Sequence, residues 1–94
     1  MQETIELLRQ LSEADGVPGH EEAVRDILLG RLAPLGKVTH DRMGGFICEI
    51  AGKAARPRVL IDAHMDEVGF MVQHITSDGF LKFVSLGTWR SEER

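Results

Sequence analysis

The 94-residue sequence predicts an α/β fold in which a helical layer leads into a β-rich piece beginning near residue 70. Three observations point there. Apolar residues recur at helical spacing twice before Pro34, the period switches to two at Lys37, and a continuous β-branched run, Val59 to Ala63, has the character of a strand covered on both faces.

The first helix is expected near residues 3 to 14, where Ile5, Leu7, Leu8 and Leu11 mark an apolar stripe and Asp15-Gly16 supplies a stop. Val17-Pro18-Gly19 is a turn. A second helix follows with Val24, Ile27, Leu28 and Leu32 on one face, and Glu21 and Glu22 stand where the positive end of the helix dipole favours acids. Pro34 and Gly36 end it. From Lys37, Val38 alternates with polar neighbours, Met43-Gly44-Gly45 breaks the run, and Phe46, Cys48 and Ile50 share a face, which together predict an antiparallel pair. Gly52 to Pro57 reads as a polar loop before the Val59 to Ala63 strand. Phe70 to Ile75 and Phe80 to Val84 are then two strands joined by a hairpin turn at Ser77-Asp78-Gly79.

Composition narrows the function. With 43% hydrophobic residues, the chain has the size of one small domain, which would bury roughly 60 to 65% of its unfolded surface. A net charge of −4, with only the Lys53 to Arg58 loop locally basic, argues against a nucleic-acid partner. One cysteine, Cys48, cannot form an intrachain disulfide, which fits a reducing, cytoplasmic setting. The first residues lack the pattern of a secretion signal, and no apolar run approaches the roughly 20 residues of a membrane span.

The chemistry concentrates at Val59-Leu60-Ile61-Asp62-Ala63-His64-Met65-Asp66-Glu67-Val68-Gly69. A strand that ends in an imidazole and a carboxylate two positions apart delivers both to the same sheet edge, where a metal could sit. An active zinc centre takes about three protein ligands and a water, so the segment by itself is incomplete. Glu67 points to the opposite side of an extended backbone and is not expected to be a ligand. His20 is expected to decorate the second helix, His40 and Asp41 to form a turn or surface pair, and His74 to be half-buried on its strand face. Cys48 reads as a small core residue, and Gly44-Gly45 as a turn.

Several of these pieces, in order, resemble the tetrahedral aminopeptidase family, which includes glutamyl and deblocking aminopeptidases and proteins labelled endoglucanase M. They are Asp15-Gly16-Val17-Pro18-Gly19-His20-Glu21, Asp41-Arg42-Met43-Gly44, Ala63-His64-Met65-Asp66-Glu67-Val68-Gly69-Phe70-Met71-Val72, and Gly79-Phe80 to Leu86-Gly87 with Trp89. The longest is the most specific. The chain departs from the family at Gly87-Thr88-Trp89-Arg90, where relatives carry Gly-Gly-Trp and a different continuation.

The resemblance implies that residues 1–70 are the N-terminal part of a metallopeptidase catalytic domain with two helices and a mixed sheet. Residues 71–94 would begin a β-rich dimerisation domain and end in a polar tail. It implies that His64 is a metal ligand and that Asp66 is the catalytic residue behind it, fixing the ring by a hydrogen bond. The implied cofactor is a pair of divalent ions, zinc or cobalt, per complete subunit, and the implied partners are peptide substrates and further copies of the chain. A bridging aspartate, further carboxylate ligands, a second histidine and a glutamate general base would have no counterpart here. The expectation is therefore a truncated, cytoplasmic, metal-dependent aminopeptidase, inactive by itself. A non-catalytic remnant acting in self-association, or in binding to a full-length relative, is the alternative.

Overall fold

The structure, a computed structural model, describes residues 1–89. Helix α1 spans Gln2–Glu13 and α2 spans Glu22–Leu32, followed by a single tight turn of 3-10 helix at Ala33–Leu35 with Pro34 inside it. Both helices lie within two residues of the expected bounds. Val24 on α2 is the buried hydrophobic side chain of the described residues, with Ile27, Leu28 and Leu32 half-buried beside it. On α1 the half-buried stripe runs through Leu7 and Leu11, whereas Ile5 and Leu8 face solvent. Arg31 of α2 reaches back to Glu3 of α1 at 3.2 Å, an exposed ion pair that adds little to the packing.

Strand β1 (Lys37–His40) pairs antiparallel with β2 (Phe46–Glu49), Val38 opposite Cys48. The connection is built by Asp41, whose Oδ1 accepts hydrogen bonds from the Met43 and Gly45 N–H groups, both at 2.8 Å. This is the local turn chemistry that aspartate favours. Phe46 and Cys48 turn inward, and the Cys48 thiol donates to the Leu32 carbonyl at 3.3 Å, which ties the hairpin to the end of α2.

Strand β3 (Gly69–Ile75) pairs antiparallel with β4 (Leu81–Leu86), with a register shift between Val72 and His74. Gln73 falls in that shift. His74, expected to be half-buried, is exposed opposite Lys82, because both faces of this hairpin are largely open to solvent among the described residues. The turn is closed by Thr76, whose N–H donates to Phe80 O at 2.8 Å and whose Oγ1 accepts from Phe80 N–H at 2.9 Å. At the open end of the hairpin, Trp89 stacks on Phe70 with ring centroids 4.8 Å apart, and its Nε1–H donates to the Leu86 and Gly69 carbonyls.

The α/β class holds, with the described strands arranged as two separate two-stranded antiparallel sheets. One expected element is corrected. Val59 to Ala63 forms no strand, and Val59, Leu60 and Ile61 are 82%, 80% and 91% exposed. A strand is made by its ladder partners, and between β2 and β3 the backbone pairs with no strand among the described residues. The expectation of a closed core is corrected for the same reason. The accessible surface is 8476 Å², against about 5,400 Å² for a compact chain of this mass.

Candidate metal centre

His64 and Asp66 lie on the extended stretch leading into β3, and the structure brings them together. Nδ1 of His64 is 2.9 Å from Asp66 Oδ1 and 3.0 Å from the Asp66 backbone carbonyl oxygen. Both partners are acceptors, since a carbonyl never donates and an ionised carboxylate only accepts. The proton of a neutral ring must then sit on Nδ1, which leaves the lone pair on Nε2. The His64 side chain is 85% exposed, so that lone pair is open to a ligand, while Asp66 is 39% exposed behind it.

One ring nitrogen is presented and the other is held by an acceptor that fixes tautomer and ring orientation, an arrangement also found in metal-ligating histidines. A divalent ion needs more. Among the described residues no three His, Cys, Asp or Glu side chains gather into a cage. The residues present offer one candidate ligand nitrogen and an acceptor behind it, and do not by themselves fit a one- or two-metal site.

Other candidate donors are placed elsewhere. Glu67 is exposed, and its backbone N–H donates to Gly16 O at 2.7 Å. Glu21 uses its carboxylate locally, accepting from the Gly19 N–H at 2.8 Å. His20 is exposed at the turn before α2, and His40 lies 6.4 Å from the Phe46 ring, centroid to centroid. Asp41 is consumed by its turn.

One group of contacts was not legible as part of the site. The turn after α1 packs against the Met65 to Gly69 backbone, through the Gly16 to Glu67 hydrogen bond and through Val17. A Cβ on Gly69 would stand 2.3 Å from Val17 Cγ1, and one on Gly16 would stand 2.8 Å from Val24 Cγ2. Neither glycine has positive φ, so space rather than backbone conformation asks for glycine there. The signal in the sequence was two glycines flanking recognisable motifs, one read as a helix stop and the other as the end of the His-x-Asp segment.

Comparison with known proteins gives this geometry a context. A family profile described as M42 glutamyl aminopeptidase matches residues 44–93, and a second, described as AMPT, matches residues 2–28. FrvX of Escherichia coli (strain K12) is 49% identical over 86 residues, covering 90% of this chain and 24% of its own length. The glutamyl aminopeptidase of Lactococcus lactis subsp. cremoris is 40% identical over 89 residues, covering 93% of this chain and 25% of the relative. The crystal structure of a TET aminopeptidase from a marine sediment archaeon of the Thaumarchaeota superposes with a TM-score of 0.83 at 38% identity, covering 98% of this chain and 26% of that one. The chain thus spans about a quarter of the length of the curated relatives it matches.

Proposed function

Because the chain belongs to the M42 glutamyl aminopeptidase family, we propose that it supplies part of the catalytic centre of a metal-dependent aminopeptidase, an enzyme that hydrolyses N-terminal residues from peptides. The observation that carries this reading is the His64 to Asp66 contact, with Nδ1 held at 2.9 Å and Nε2 open. His64 is the metal ligand, and Asp66 is the catalytic residue that fixes the ring. The proposed cofactor is a pair of divalent ions, zinc or cobalt, whose remaining ligands and general base lie outside the described donor set. The proposed setting is the cytoplasm. No helix of the described residues is long and apolar enough to cross a membrane.

The test is titration of the chain with zinc and with cobalt, read by the His64 ring resonances, beside hydrolysis of leucyl and glutamyl amides. We expect weak binding that His64→Ala removes and that Asp66→Ala weakens about 10 to 100-fold, with no turnover by the chain alone. Equal affinity of wild type and His64→Ala would remove His64 from the ligand set.

A second reading, self-association without catalysis, is favoured by the exposed Val59 to Ile61 run. The proposed partner is then a second copy of this chain, because an exposed, unpaired, apolar backbone segment is a template for pairing with another strand.

A further inference from the structure

We propose that the turn after α1, Asp15 to Pro18, is a positioning element for the His64 ring, gripping the Asp66–Glu67 peptide unit from the side opposite the imidazole. The inference rests on the reading of His64 and Asp66 as the site pair.

Between β2 and β3 the backbone is exposed except at Met65 and Asp66, which are half-buried where the α1–α2 turn meets them. There, one peptide plane carries two hydrogen bonds in opposite directions. Its N–H, belonging to Glu67, donates to Gly16 O at 2.7 Å. Its C=O, belonging to Asp66, accepts from His64 Nδ1–H at 3.0 Å. Because the peptide unit is planar, fixing the direction of the N–H fixes the direction of the C=O. Because the two bonds run through one polarisable amide, each strengthens the other.

The grip has a second point two residues further on. Gly69 lies against Val17 so closely that an added methyl would meet Cγ1 at 2.3 Å. The turn itself is seated on the helical layer, where Gly16 is buried against Val24. Gly69 thus allows the turn to close on the segment, Gly16 allows the turn to close on Val24, and the helical layer passes its position to a segment that pairs with no strand among the described residues. The Asp66 carboxylate adds the second acceptor for the ring, and its own placement follows from the backbone that the turn holds.

The test is made on the metal-free 94-residue chain, at a pH where the ring is neutral, by the imidazole nitrogen resonances of His64 and by amide exchange of Glu67. Gly69→Ala should push Val17 and the turn away. Protection at Glu67 N–H should fall about fivefold or more, as loss of one hydrogen bond implies, and the ring should shift from the Nδ1–H tautomer toward the Nε2–H form preferred by free imidazole side chains. Val17→Ala combined with Gly69→Ala removes the colliding methyl and should restore both signals, including in the case where Gly69→Ala alone fails to fold. A His64 tautomer that stays unchanged while Glu67 loses protection would overturn the proposal, as would a double variant that regains its fold but not the tautomer. These readouts contain no metal, so a failure of His64 as a ligand shows only in the titration, and a failure of the positioning role only here.

Discussion

Glu6 accepts from Arg9 Nε at 3.0 Å and Arg9 Nη2 at 2.5 Å on the exposed side of α1, and from the half-buried Gln10 Nε2 at 3.0 Å. These donors, Arg9 foremost, hold its carboxyl down to about 2 from an ordinary value of 4.5. The depressed value means that the contribution to helix stability is fully present above pH 4.5 and is lost as pH falls through about 2. Acid titration followed by circular dichroism should show a small loss of α1 helicity in that window, absent in Glu6→Gln. The Glu6 side chain is about half exposed, so raised salt should shrink the effect. His64 and Asp66 show the other side of residue-level reading. Their spacing was legible because residues two apart on an extended backbone share a side, and the Asp66 carbonyl that also faces Nδ1 belongs to the same motif, but the Gly16 to Glu67 anchor joins residues from distant parts of the chain, which no local pattern encodes.

The hairpins were the most legible elements, since each is specified by its own turn. In the β3–β4 turn Gly79 sits at φ +90° and donates its N–H to Thr76 O at 3.1 Å. Gly79→Ala should destabilise this hairpin by about 1 to 2 kcal/mol, because an L side chain is strained in the left-handed region, and Gly79→Asn by less. Urea unfolding followed by the fluorescence of Trp89, which packs on β3, checks both values. The register shift at Gln73 escaped the alternation pattern because it changes pairing without changing composition. Val59 to Ala63 escaped for the opposite reason: composition proposes a strand, but only a neighbouring ladder makes one.

The chain extends 64 × 33 × 29 Å with a radius of gyration of 18.0 Å, where a compact chain of this length would have about 12 Å. Apolar surface that a closed core would hide is therefore in water, and half of the exposed large hydrophobic residues lie at Val59 to Ile61 and on the β3–β4 sheet. Sedimentation should show mass rising with concentration, and replacing Val59 and Ile61 with Asp should return the chain toward a monomer; a wild type monomeric at all concentrations would remove self-association. The class of fold was legible at this scale and the compactness was not, because counting apolar residues does not say whether they meet one another. The two sheets share no strand, and their separation bears on how the molecule melts. Cooperative unfolding needs interfaces through which the loss of one part raises the free energy of the next, and few such contacts cross from the helical layer to β3–β4. Trp89 fluorescence and helical ellipticity should accordingly give two thermal transitions that do not coincide. The Gly16 to Glu67 bridge is one of the few points at which one melting event can feel the other.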